Sequence, residues 1–239
     1  LTRSDASEMM LRKKIKHIWH IREIIEKPFF IKYIYSYLLR KYSNKIICNS
    51  SATKTWIVNN NSILNHKSLV VWNGVKAITG KQKLSDTTIT ISLIGRISDW
   101  KGQILLINTV NRLINKNIRN IKILIVGSPH SSQKHLLEML YNKISILNLE
   151  KYIEIQSFTS DFDKIYKKTD IIVVPSIRPE PFGLVAIEAM SAGLPVIASN
   201  DGGLREIIIH KETGFLFKTG CEKDFEEYLV KLINNKKIR

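Results

Sequence analysis

From Thr88 onward, short apolar runs alternate with helical segments, and few architectures accept that rhythm. The runs are Ile89–Ile94, Ile121–Val126, Tyr152–Gln156, Ile171–Val174 and Pro195–Ala198. Strands this apolar need cover on both faces, which is the situation inside a parallel sheet. Between them, Lys101-Gly102 opens a helix through Asn115, and further helices fit about 132–147, 161–168 and 184–192. Another begins near Leu204, and an amphipathic one closes the chain over about 223–233. Gly214–Phe217 reads as hairpin-like. Strand, short loop, helix, short loop, strand predicts an α/β class chain with a doubly wound, parallel, Rossmann-like sheet.

In such a sheet ligands bind beyond the carboxyl ends of the strands. Arg96 and Lys101 follow the first strand, Lys101 at the start of a helix. After Ile171–Val174 comes a loop punctuated by Pro175, Pro179 and Pro181, and then a helix near Gly183. Glu180 lies just before that helix and Glu188 about one turn in. A helix N-terminus suits a phosphate, and two cations suit a diphosphate. Carboxylates beside an anion site are better suited to accepting from hydroxyls, so the pattern points to a sugar or ribose next to a phosphate. Gly183 lets backbone approach an anion closely, whereas Gly202-Gly203 reads most simply as a tight strand-to-helix turn. No DxD-like carboxylate pair accompanies the two cations, so charge neutralisation by Arg96 and Lys101 is expected in place of a metal ion.

The earlier part of the chain is less regular. Lys16–Ile21 reads as a short strand, with Ile18 toward the core and His20 at its carboxyl end, where ligands bind. Residues 28–42 form a basic amphipathic helix in which Phe29, Phe30, Tyr33, Ile34, Tyr37 and Leu38 share helical spacing with Lys32, Arg40 and Lys41 interleaved. That face suits either core packing or a membrane interface. Lys45–Cys48 is a strand, Ser50 and Ser51 suit the N-cap of a helix over Ala52–Val58, and Leu69–Trp72 is a third strand closed by Asn73-Gly74. A polar stretch follows, so the expected domains are 1–75 and 88–239, with a linker over 76–87.

The chain has 239 residues and a formal net charge of +16. Nucleic acid, an anionic membrane surface, or a Lys-rich composition alone would each fit that charge. No RNP, zinc-finger or basic-zipper pattern supports nucleic acid, which is set aside as a partner. No run of about twenty apolar residues suggests a spanning helix, and no secretory signal is recognisable. The two cysteines, Cys48 and Cys221, form no metal-binding cluster and read as free thiols of a reducing cytoplasm. The expected location is cytoplasmic, peripheral to the inner membrane face if the 28–42 helix binds lipid.

Several of these stretches together resemble one family. Gly95-Arg96 and Lys101-Gly102, Glu180-Pro181-Phe182-Gly183-Leu184-Val185-Ala186-Ile187-Glu188, Ala192–Ala198 and Gly202-Gly203-Leu204-Arg205-Glu206 closely resemble the C-terminal half of retaining GT-B glycosyltransferases of family 4, the glycosyl transferases group 1. The E-x7-E spacing is the most specific of these signals. The resemblance covers about residues 88–235 well and 16–75 more loosely. It implies a GT-B C-terminal domain with a partial N-terminal Rossmann-like domain, and transfer of a sugar from a UDP- or GDP-sugar to a glycan or lipid-linked acceptor with retention of configuration. It implies donor binding by Arg96, Lys101, Glu180, Phe182, Gly183, Leu184 and Glu188, with His20 and Glu180 as catalytic residues. Arg96 and Lys101 would neutralise the diphosphate, Glu188 would accept from the ribose, and Glu180 would hold the transferred sugar. The loop at Ser157–Ser160 would lie by the nucleobase. The nucleotide-sugar is a substrate, and neither a cofactor nor a metal is expected. The family's opening strand with its Gly-rich loop does not precede Leu1, its long closing helix is missing or shortened after Arg239, and Ser160 stands where it often has Gly. A truncated chain is therefore expected, with a catalytically incomplete nucleotide-sugar-binding fragment as the alternative to an active transferase.

Overall fold

The computed structural model describes residues 16–78 and 87–239. Residues 79–86, most of the expected linker, and the irregular start over 1–15 lie outside the described residues. The chain divides into two compact units. One holds the described residues as far as Gly74 together with Pro179–Phe182, and the other holds those from Val75 to Arg178 together with Gly183–Arg239.

The first unit is a three-stranded parallel sheet in the order β1-β2-β3, made of β1 (Ile18–Ile21), β2 (Lys45–Cys48) and β3 (Ser68–Val70). Two helices connect the strands, α1 (Ile31–Tyr42) and α2 (Ser51–Asn60). Its small core contains Ile21, Leu39, Ile46, Cys48, Ile57 and Leu64. Ile18 is exposed, contrary to the expected inward orientation, and Ile21 takes the buried place. The strand alternates, so burying Ile21 turns Ile18 and His20 away from the core. Helix α1 is turned over as well. It buries Ser36 and Leu39, while Phe29, Phe30, Tyr33, Ile34 and Tyr37 are all more than half exposed. Ser50 caps α2 as expected, its hydroxyl accepting from the Thr53 N–H at 2.9 Å.

The second unit is a six-stranded, wholly parallel sheet in the order β6-β5-β4-β7-β8-β9. Its strands are β4 (Ile89–Ile94), β5 (Ile121–Val126), β6 (Ile153–Gln156), β7 (Ile171–Val174), β8 (Val196–Ser199) and β9 (Phe215–Phe217). The helices are α3 (Gln103–Asn115), α4 (His135–Ile146), α5 (Phe162–Lys167), α6 (Leu184–Ser191), α7 (Leu204–Ile207) and α8 (Glu222–Asn234). Alternation along each strand feeds two cores. Ile91, Leu93, Ile123, Ile125, Ile171 and Val173 meet α3, α4 and α8 on one face. Ile94, Leu124, Val126, Ile172 and Val174 meet α5, α6 and α7 on the other. This bears out the doubly wound α/β reading. The Gly214–Phe217 stretch is corrected from hairpin-like to a strand, β9, paired parallel with β8 through Ile197↔Phe215, Ala198↔Leu216 and Ser199↔Phe217.

Candidate functional site

The sheet runs outward from β4 in one direction and from β7 in the other, so the chain reverses its winding between those two adjacent strands. Loops leaving a sheet at such a switch point diverge and open a crevice for a ligand. Arg96 and Lys101 sit in the loop after β4, Arg96 exposed and Lys101 half-buried. The loop is held from several sides. The Gln103 amide donates to the Arg96 carbonyl at 2.9 Å, and Ile97 N–H donates to Ser128 O at 3.2 Å. The Lys101 stem passes over Gly95, where an added Cβ would meet Lys101 Cδ at 3.7 Å. Its ammonium lies 4.4 Å from the centre of the Trp100 ring.

The same loop is tied to the one after β7. Ile177 N–H donates to Trp100 O at 2.8 Å, and Arg178 pairs with Asp99 at 2.5 Å. Gly102 is buried with φ +80, and a Cβ there would stand 1.9 Å from the Pro175 carbonyl oxygen. Only glycine takes that conformation without strain and leaves room for the neighbouring backbone. Both helices that open here begin at a left-handed glycine, α3 at Gly102 and α6 at Gly183. Neither has a side-chain cap or an acidic residue in its first turn. At Gly183, with φ +109, a Cβ would come within 2.6 Å of Leu204 Cδ2. The left-handed backbone thus favours glycine here independently of any ligand, and a side chain would also have to displace Leu204.

Glu188 is half-buried on α6, and its carboxylate accepts from the Tyr166 hydroxyl at 2.7 Å. Burial first, and then the neighbouring carboxylate, push the Tyr166 phenol far above its ordinary pKa. Leu184 opens α6 and is partly exposed. Gly202-Gly203 forms the strand-to-helix turn expected of it, Gly202 at φ +55 and Gly203 beginning α7. The second unit therefore brings Arg96, Lys101, Gly183, Leu184 and Glu188 onto loops and helices after β4 and β7.

The chain belongs to the glycosyl transferases group 1 family, whose model matches residues 75–239.

Relatives fit that assignment. An uncharacterised glycosyltransferase of Methanocaldococcus jannaschii is 31% identical over 222 residues, covering 92% of this chain and 56% of that protein. The capsular polysaccharide biosynthesis glycosyltransferase CapM of Staphylococcus aureus is 29% identical, covering 87% of this chain and 58% of CapM. The chain thus spans little more than half the length of these curated relatives. Among solved structures, Anabaena HepE, in complex with UDP and glucose, superposes with a TM-score of 0.88 at 23% identity, covering 98% of this chain and 66% of HepE. That likeness is one of fold.

The remaining residues carried over from the group 1 resemblance lie in the first unit. His20 is the exposed third residue of β1. Glu180 and Phe182 are each only 4% exposed. Between them, the Pro181 carbonyl lies 2.5 Å from the Ser50 hydroxyl and 3.2 Å from that of Thr53. The N-terminus of α2 therefore anchors the four-residue stretch Pro179–Phe182. The proline-punctuated loop after Ile171–Val174 carries no local sign of this anchoring, because its partners lie about 130 residues away. Tyr166, Gln103 and the Asp99–Arg178 pair also went unpredicted. Tyr166 and the Asp99–Arg178 pair carry no local sequence signal, since each is defined by a partner on another element, and Gln103 bonds within its own loop to a backbone carbonyl that no side-chain pattern marks. Among the described residues, no cluster of His, Cys, Asp and Glu could hold a metal ion, and no helix is long and apolar enough to cross a membrane.

Proposed function

We propose that this chain binds a nucleotide-sugar in its second unit and that the protein transfers the sugar, with retention of configuration, to a glycan or lipid-linked acceptor. The observation that carries the reading is the linked pair of loops at the β4/β7 switch point, with Arg96 and Lys101 on one and the start of α6 at Gly183 on the other. Two cations and an uncapped helix start form an anion site suited to a diphosphate. In this reading Arg96 and Lys101 neutralise the diphosphate without a metal ion and stabilise it as it leaves. The backbone at Phe182, Gly183 and Leu184 contacts sugar and phosphate. Glu188 accepts from the ribose hydroxyls, and the family resemblance gives Glu180 and His20 their roles toward the transferred sugar. The bond from the anomeric carbon to the phosphate oxygen breaks as the acceptor oxygen bonds on the same face. The acceptor proton passes to the departing phosphate. HepE, the structural neighbour, was solved with UDP-glucose, which supports a UDP-sugar as the first donor to test.

A thermal-shift screen of UDP-, GDP- and ADP-sugars tests the site. A donor at a hundred times its Kd adds about 2.7 kcal/mol to the folded state. Lys101→Ala and Glu188→Ala should each weaken binding by about tenfold or more. Unaltered affinity in both variants would refute the assignment. A turnover assay on the 239-residue chain with acceptor separates transfer from binding alone.

The exposed face of α1 supports a further part of the proposal, peripheral attachment at the cytoplasmic face of an anionic membrane. Lys32 lies 5.0 Å from the centre of the Tyr33 ring, and Lys41 lies 5.8 and 5.1 Å from those of Tyr37 and Tyr42. Aromatic rings with cations beside them suit the headgroup region.

A further inference from the structure

Tyr166 is the second-largest kind of side chain a core can hold, and it is 1% exposed. It packs in the same core as Ile172, Val174, Ala186 and Ala189, where a phenylalanine would supply the same apolar surface. A buried hydroxyl is costly without a partner, and its partner here is the Glu188 carboxylate. The two residues are 22 apart in the chain and sit on different helices, α5 and α6. Burial keeps the phenol protonated at any working pH, so it acts only as a donor to Glu188. Glutamate has three rotatable bonds and substantial rotamer freedom to lose when a ligand fixes it. The ring of Tyr166 is locked by its surroundings, so its hydrogen bond restricts Glu188 before any ligand arrives.

We infer that Tyr166 is a positioning residue for Glu188, fixing Oε2 so that the carboxylate is held ready for the two hydroxyls of a ribose diol. This rests on the reading that Glu188 meets the ribose. Oε2 keeps a second lone pair and Oε1 keeps both of its own, enough to accept from two hydroxyls at once. A carboxylate held in place loses less freedom on binding than a mobile one, which is the gain from preorganisation. A purely structural Tyr166 would strut α5 against α6 and have no effect that depends on the ribose.

The test titrates UDP and GDP, each beside its 2′,3′-dideoxy analogue, into the wild-type chain, Tyr166→Phe and Glu188→Gln. Tyr166→Phe retains the ring that fills the core and leaves Oε2 on a side chain that is only half-buried, so the protein should stay folded. Its affinity for the ribonucleotide should fall by about five- to tenfold, a fraction of what a direct hydrogen bond to a charged group contributes, while affinity for the dideoxy analogue stays at the wild-type value. Glu188→Gln should abolish most of the preference for ribose. If Tyr166→Phe binds both ligands as the wild type does, or loses the same factor on both, the positioning role is overturned. If the Glu188→Gln variant keeps the full ribose preference, or the wild type binds neither nucleotide, the placement of ribose at Glu188 fails first and the inference falls with it.

Discussion

Gly102 shows how much one residue contributes to this site. Its φ of +80 and the 1.9 Å approach of a hypothetical Cβ to the Pro175 oxygen leave no room for any side chain. Gly102→Ala should destabilise the protein by more than about 2 kcal/mol, the left-handed penalty of about 1–2 kcal/mol being added to a backbone clash. Because Lys101 precedes it directly, nucleotide affinity should fall in the same variant. Thermal unfolding and a UDP titration measure both, and a variant with wild-type Tm would contradict the packing described. Gly102 could be noted in the sequence only as a glycine before a helix. That it faces the backbone after β7 depends on a partner more than seventy positions away. Glu188 was legible as a site residue because its spacing from Glu180 is local. Its hydrogen-bond donor, Tyr166, was not, because nothing in a Tyr before an apolar run announces its partner.

At the level of elements, periodicity served well wherever both faces of a strand or one face of a helix had to be buried. The five strands expected after Thr88 all form, and β9 adds a sixth, because their apolar runs leave few other ways to exclude water. It served poorly for α1, whose aromatic stripe has the right spacing for a core face and lies instead outward, with Ser36 and Leu39 inside. Spacing reveals that a helix has two faces without revealing which one the sheet receives. Helix α8 carries another feature hidden from the sequence. Glu226, 3% exposed, accepts from Arg112 at 2.5 Å and pairs with Lys116, joining α8 to α3. Burial opposes its charge, but the hydrogen bonds from Lys116 and Arg112 outweigh that and hold its carboxyl below the ordinary value of 4.5. A depressed folded pKa stabilises the protein above the unfolded value, and the contribution disappears as pH falls through the folded one. Glu226→Gln should therefore lower Tm at pH 7 by about 2–4 °C. The gap between variant and wild type should narrow as pH falls below 4.5 and close once the pH has passed through the lower folded value, where both carry a neutral group. A gap that persists unchanged in acid would show that charge is not its origin.

Across the whole molecule, the proposed membrane attachment combines the net charge of +16 with the outward aromatic face of α1. The chain should co-sediment with vesicles containing phosphatidylglycerol and far less with neutral phosphatidylcholine. Binding should fall by more than half at 1 M salt, where the screening length drops from about 8 Å to about 3 Å. Replacing Lys32, Arg40 and Lys41 together by Glu should have a similar effect, and equal binding to neutral vesicles would rule out the electrostatic reading. The sequence alone was sufficient for the α/β class, the doubly wound order of elements and the family. Each rests on local spacing: apolar runs that must be buried on both faces, glycines at strand ends, and two glutamates eight positions apart. The sheet order, which strands flank the crevice and which groups steady its side chains were left to tertiary structure. Those depend on contacts between residues far apart in the chain, as when α2 anchors Pro179–Phe182 in the first unit. The loop before Gly183 could be recognised from its residues, but the assignment of Pro179–Phe182 to the first unit could not, because the hydroxyls that bond the Pro181 carbonyl belong to Ser50 and Thr53.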